Sequence, residues 1–86
     1  MSSDKERQAI CSRVCKLLRE ARTERQLSMT SLAQMTGLSQ QAISYVEREM
    51  RTPSLDTLLR MTQALGIALG DVVNRAAKEV SKSAKR

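Results

Sequence analysis

The 86-residue chain has no histidine, tryptophan or phenylalanine, and it carries one tyrosine, one proline, three glycines and two cysteines. Without histidine, the side chain that most often moves protons and binds metals near neutral pH is missing. No cluster of carboxylates on one face and no phosphate-cradling glycine loop takes its place. Common acid–base and metal chemistry therefore lacks its parts, and no enzymatic activity, metal or cofactor is expected. The scarcity of aromatics, with no alternating apolar pattern, argues against a β-sandwich. No run of about 18 apolar residues and no signal-peptide pattern occurs, so a cytoplasmic protein with no membrane association is expected. Cys11 and Cys15 lie one helical turn apart. A disulfide scaffold would link distant segments, and a zinc site needs more ligands than two thiols, so two reduced, helix-packed thiols are expected. Whether they respond to oxidation stays open.

What is present is mostly helix-forming. Ser3 and Glu6 have the spacing of a capping box, and a long first helix is predicted over about 4–25. Its apolar stripe is Ile10, Val14, Leu17, Leu18 and Ala21, widened by Cys11 and Cys15. A second helix follows over 29–36, with Ser28 as N-cap and Leu32, Ala33 and Met35 turned inward. A third is predicted over 40–48. Pro53 bars helix continuation just before it, and Ser54 caps a fourth helix with Leu55, Leu58, Leu59, Met61 and Leu65 inside. Gly66 ends it. A fifth helix starts near Leu69, carries Val72, Val73 and Ala76, and fades after Glu79. Residues 1–79 thus read as one domain and 80–86 as a basic, disordered tail. A core this small favours support from a partner subunit.

The formal charge of +6 favours a polyanionic partner. Its placement matters more than its total. Residues 1–26 hold seven basic and four acidic side chains; residues 75–86 hold five basic and one acidic. Between them, Arg48, Arg51 and Arg60 are outweighed by Glu47, Glu49, Asp56 and Asp71. General attraction to phosphate would then come from the two ends, unless those charges are merely a solvated face and a frayed terminus.

Residues 27–47, LSMTSLAQMTGLSQQAISYVE, are the most informative stretch. Two short helical patterns meet at Gly37, which tolerates the left-handed conformation of a sharp helix exit. Leu38 fills the elbow and Ser39 is placed to cap the next helix. Ile43 and Val46 form that helix's inner stripe; Gln40, Gln41, Ser44, Tyr45 and Arg48 share its outer face. This is a helix-turn-helix over 28–48, and two glutamines at the start of its second helix point to sequence-specific DNA binding. A glutamine amide matches the N6 and N7 edge of adenine in the major groove. Tyr45 either contacts a base or phosphate, or packs locally on Arg48 or Met29.

With these residues in place, the chain resembles the phage-repressor/Cro-type (XRE) helix-turn-helix family from about Leu17 to Val73. The resemblance rests on Leu32-Ala33, Gly37, Leu38-Ser39, Ile43-Ser44, Glu47, Pro53-Ser54-Leu55, Leu58 and Ala64-Leu65-Gly66-Ile67. It implies an all-α, compact five-helix, lambda-repressor-like domain, here with an extended first helix. It implies a regulator of transcription, a repressor or an activator, that binds a palindromic operator in double-stranded DNA as a homodimer, its third helix in the major groove and half-sites roughly 34 Å apart. By the resemblance Gln40, Gln41, Ser44 and Tyr45 are base contacts, and Ser28, Met29, Ser39, Arg48 and Arg51 are phosphate contacts. Met29 stands where the family commonly has glutamine. Arg22 and Glu47 match a structural ion pair. Glu49 stands where the family commonly has glycine, so either the helix runs on or the loop takes another path. Ile67, Leu69, Val72 and Val73 are the expected dimer interface, unless they pack within the protomer. Such proteins are cytoplasmic and nucleoid-associated, in bacteria or encoded by phage. Partners beyond DNA and a second copy are RNA polymerase or a toxin, and the competing reading is an antitoxin or bridging-type protein-interaction module.

Overall fold

The computed structural model describes residues 3–84, and among them it contains five helices and no strand. The helices are α1 (Ser3–Glu24), α2 (Met29–Thr36), α3 (Gln40–Glu47), α4 (Leu55–Leu65) and α5 (Leu69–Ala84). Their starts follow from one device used three times. Ser28, Ser39 and Ser54 sit in extended backbone, and each hydroxyl oxygen accepts from an N–H three residues on, that of Ser31, Ala42 or Thr57. Each serine thereby satisfies one of the four N–H groups that a helix start leaves without a partner. α1 differs. Ser3 lies within its first turn rather than ahead of it, so it does not act as the expected cap. Its N-terminal neighbours fall outside the described residues.

The helix ends share a device as well. α2 exits at Gly37 (φ 74°) and α4 at Gly66 (φ 73°), both left-handed. α1 and α3 make the same exit with side chains, through Gln26 (φ 57°) and Glu49 (φ 60°). At Glu49 the two loop N–H groups fold back, Glu49 to the Val46 carbonyl and Met50 to that of Tyr45 at 2.9 Å. That is a Schellman closure, ordinarily a glycine's place. The expectation that the helix would run on, or that the loop would avoid this path, is therefore corrected. The turn is kept despite its steric cost, and Ser12 on α1 donates a hydrogen bond to the Glu49 carboxylate.

Arginines supply the remaining caps. Arg25 Nε donates to the Leu65 carbonyl at the end of α4 at 2.9 Å, and Arg60 Nη1 to the Thr36 carbonyl at the end of α2 at 3.0 Å. A Cβ at Gly37 would meet Arg60 Nη1 at 3.3 Å, so that glycine serves both the left-handed turn and this close approach.

The core gathers Val14, Leu17 and Leu18 of α1, Leu32 of α2, Ile43 and Val46 of α3, and Met61 and Leu65 of α4. Val72 and Ala76 bring α5 onto it. Each fully buried large apolar side chain contributes about 1.5–3 kcal/mol. Three expected inner positions are not inner: Met35 is 53% exposed, Leu55 65% and Leu59 39%. In α2 the inward stripe is Met29, Leu32, Ala33 and Thr36; in α4 it is Leu58, Met61, Thr62 and Leu65. Both run i, i+3, i+4, i+7, with a threonine that the apolar pattern passes over. The threonines can be buried because each hydroxyl donates to a carbonyl one turn back, Thr36 to Leu32 and Thr62 to Leu58.

α1 and α5 make the most extensive helix–helix contact and draw the molecule out to 40 × 21 × 18 Å. α5 does not fade after Glu79; it continues to Ala84. Residues 80–84 are thus helix rather than tail, while 85–86 lie outside the described residues. The extension has support: Val80 is half-buried, and Glu79 takes Arg13 of α1 and Arg75 of its own helix. Those two guanidiniums, Arg13 first, hold the Glu79 carboxyl below its ordinary 4.5. The stabilisation is complete above that value and lost as pH falls through the lower folded value. The denaturation midpoint of the wild type should therefore exceed that of Glu79→Gln at neutral pH, and the gap should close progressively below about pH 4.5. A gap independent of pH would show that the carboxylate charge is not what matters.

No helix among the described residues is long and apolar enough to cross a membrane. Both cysteines are free. Cys15 is buried, and burial pushes its thiol up to about 11; Cys11 is exposed rather than helix-packed as expected.

Candidate nucleic-acid interface

The short turn at Gly37 sets α2 and α3 against each other, and the buried Ile43 and Val46 fix which face of α3 is left outside. On that face Gln40, Gln41 and Arg48 are exposed, and Ser44 and Tyr45 are half-buried. Five side chains are thus carried along one edge of a two-turn helix. None of this face is held by a core contact, yet it is not loose. Thr30 Oγ1 of α2 donates to Gln40 Oε1 at 3.1 Å, and Gln41 Nε2 donates to the Tyr45 hydroxyl at 2.7 Å. The Arg51 guanidinium lies 4.9 Å from the centroid of the Tyr45 ring, a cation–π distance. The sequence pattern offered Arg48 or Met29 as local neighbours for Tyr45; the neighbour is Arg51.

The expected phosphate positions divide. Ser28 and Ser39 are exposed at the starts of α2 and α3, where backbone N–H groups and the helix dipole favour an anion. Arg48 and Arg51 are exposed at the other end of α3. Met29 is half-buried against the core, so its side chain is turned from solvent and only its backbone N–H remains for a phosphate.

Arg22 and Glu47 meet inside the protein. Nε donates to Oε2 at 2.6 Å and Nη2 to Oε1 at 2.9 Å, while Nη1 reaches the Leu27 carbonyl at 2.7 Å. The Glu47 side chain is 1% exposed. The hydrogen bond to Glu47 raises the Arg22 guanidinium above its usual value, against the pull of burial. This fork fastens the end of α3 to α1 and sets how far the outer face stands off the body.

The basic charge is partly engaged elsewhere. Arg13, Arg22, Arg25, Arg60 and Arg75 all bond to carboxylates or carbonyls within the chain. Among the described residues, Lys16, Arg19, Arg48, Arg51, Lys78 and Lys82 are exposed and carry no ion pair. Four of those six lie on α1 and α5; Arg48 and Arg51 stand at the end of α3.

The expected dimer residues also divide. Val72 is 8% exposed and belongs to the protomer's own core, so it presents no surface to a partner. Ile67 and Leu69 are half-buried, Ile67 against the core, and Val73 is 40% exposed. Leu55 and Leu59, one turn apart on α4, add apolar surface that the sequence pattern had assigned to the interior.

The model of a helix-turn-helix family matches residues 18–72. A protein of Methanosarcina acetivorans, assigned by inference as an HTH-type transcriptional regulatory protein, is 38% identical over 53 residues, covering 62% of this chain and 16% of its own length. A protein of Methanosarcina mazei with the same description is 34% identical over 58 residues, covering 67% of this chain and 18% of its own. The chain thus spans less than a fifth of the curated relatives it matches. No solved structure matches it at a significant level.

Proposed function

The chain belongs to the XRE-type helix-turn-helix family, and from that membership we propose that it is a regulator of transcription that binds a palindromic operator in duplex DNA as a homodimer. α3 enters the major groove and its outer face reads bases. The observation that carries the reading is the one edge of α3 on which Gln40, Gln41, Ser44 and Tyr45 stand outside a fully packed inner stripe. Gln40 and Gln41 meet base edges; Ser28, Ser39, Arg48, Arg51 and the Met29 backbone N–H meet phosphates. Phosphates position the protein and bases specify the site. General attraction falls to Lys16, Arg19, Lys78 and Lys82, since the helix pair itself is nearly neutral.

The dimer forms through the apolar surface of α5 and α4, with Leu69 and Val73 of one and Leu59 of the other. Repression follows by covering a promoter. The exposed Leu55 and Leu59 also suit a protein partner such as RNA polymerase or a toxin, the reading in which DNA binding is secondary.

Selection from random duplex DNA tests the proposal. The expected result is an enriched palindrome with half-site centres roughly 34 Å apart. On that site Gln41→Ala should cost about 1–3 kcal/mol at one base pair. Arg48→Ala should weaken all sequences alike and lower the slope of log K against log salt by about one contact's worth. Weak, salt-sensitive binding with no enriched sequence would move the function to protein interaction.

A further inference from the structure

We infer that Tyr45 and Thr30 decide which base edges the two glutamines read, and that they do so by orienting the glutamine amides rather than by touching bases themselves. The inference rests on the proposed base reading by α3.

A glutamine amide is two-faced. One end accepts and the other donates, and a free side chain presents either. Here neither amide is free. Gln41 gives an Nε2 hydrogen to the Tyr45 hydroxyl one turn further along α3. One N–H and the carbonyl oxygen stay open on Gln41. That is the donor–acceptor pair that adenine N7 and N6 require. Tyr45 is itself fixed, half-buried on one side and covered on its ring by the Arg51 guanidinium. The order of support therefore runs from Arg51 to Tyr45 to Gln41.

Gln40 is held the other way round. Its carbonyl oxygen accepts from Thr30 Oγ1, on a different helix. The oxygen is turned toward α2, and both hydrogens of Nε2 are without a partner among the described residues. A group that presents donors suits an edge that presents only acceptors, as guanine does with N7 and O6. Two adjacent and chemically identical side chains are thereby made unlike: Gln40 set for guanine and Gln41 for adenine. Because both are already oriented, less side-chain freedom is lost on docking.

Both positioning residues lie outside the core, so conservative variants leave the fold intact. Tyr45→Phe keeps the ring and its stacking with Arg51 and removes only the hydroxyl. Thr30→Val keeps the shape and removes the donor. The experiment measures affinities of wild type, Tyr45→Phe, Thr30→Val, Gln40→Ala and Gln41→Ala for the selected operator and each single base-pair variant, at two salt concentrations. Tyr45→Phe should lower discrimination roughly 3- to 10-fold at the base pair where Gln41→Ala abolishes it, and Thr30→Val should do the same at the Gln40 position. Thermal midpoints, salt slopes and affinity for random DNA should not move. Three results would overturn the inference: equal loss on every sequence, which marks a phosphate contact; loss at a base pair that the glutamine variants do not touch, which marks a direct base contact; or no change. Those results leave base reading by α3 standing. If the wild-type protein enriches no sequence, or the glutamine variants lose nothing at single base pairs, base reading itself fails and the inference falls with it.

Discussion

Replacing Arg22 by alanine is expected to destabilise the domain by about 3–5 kcal/mol, the range for removing one partner of a buried ion pair. The change leaves the Glu47 carboxylate where it is, 1% exposed, and removes both N–H groups that face its oxygens. It also strips the Leu27 carbonyl of the Nη1 donor that closes the turn after α1. A domain of this length has roughly 4–13 kcal/mol of stability in all. The variant should therefore be marginal, with a urea midpoint near or below half that of the wild type. Removing both charges differs, because Arg22→Met with Glu47→Leu leaves no buried carboxylate without a partner. The double variant should fall within about 2 kcal/mol of wild type, measured in the same urea series by the helical signal. With Arg22→Met and Glu47→Leu also measured singly, the cycle separates the worth of the pair from the cost of orphaning one member. A loss below about 1 kcal/mol for Arg22→Ala would show that solvent screens the pair. The double variant carries a second consequence. α3 loses the polar fork that fastens it to α1, so operator affinity should fall even where stability is recovered.

The fork was legible before the structure because two residues matching a family's pair also sit at helix ends, one closing α1 and one closing α3. Other features were legible for local reasons. A serine ahead of an apolar run has a near neighbour to cap, so Ser28, Ser39 and Ser54 set three helix starts. A glycine after such a run has a conformation that few residues share, so Gly37 and Gly66 set two ends. The other two ends were not legible. Gln26 and Glu49 take the same left-handed exit with no local sign, and at Glu49 the compensating hydroxyl comes from Ser12, 37 residues away. The inner stripes were legible to within one position. Met35 and Leu59 lie one position off the stripe, and Leu55, the first residue of α4, is exposed at the helix's end; Thr36 and Thr62 hold inner places through hydrogen bonds that hydropathy does not express. The length of α5 was missed for a similar reason: Lys78, Lys82 and the serines read as a solvated end, and only Arg13 on the opposite helix shows why Glu79 and Val80 stay folded.

The outer face of α3 follows from periodicity alone, since burying Ile43 and Val46 leaves few places for Gln40, Gln41 and Tyr45. What periodicity does not supply is the direction in which an amide points. Thr30 is ten residues from Gln40, and Arg51 reaches Tyr45 only because the chain turns back at Glu49. The same separation explains the charge. Counted along the sequence, Arg25 and Arg60 belong to a phosphate-seeking total; in the folded chain they cap the carbonyl ends of α4 and α2.

Val73→Glu is expected to lower operator affinity roughly 10²- to 10⁴-fold while leaving the fold in place, the gap that separates joined from independent half-site binding. Val73 is 40% exposed and outside the protomer's core, so the substitution should cost the monomer no more than about 0.5 kcal/mol. In the proposed dimer the same position faces a second copy, and a two-fold axis sets the two new carboxylates near each other in an apolar setting. Neither can be charged there without losing its solvation, and charging both adds repulsion. Dissociation is the cheaper outcome. A monomer still reads one half-site with the same glutamines, so base preference within the half-site should survive and only the tie between half-sites is lost. Leu59→Glu on α4 repeats the test from the other apolar ridge, again at an exposed position. Light scattering should show the mass halved for whichever variant lies in the interface, with helical content unchanged. Footprints should shrink from two half-sites to one at high protein concentration. A wild-type protein that is monomeric at all concentrations, or variants that keep both mass and affinity, would place the two-fold elsewhere or remove it. If Val73→Glu stays dimeric and Leu59→Glu does not, the axis passes by α4. Leu55 then joins the interface, and Leu69 and Val73 become surface free for a different protein.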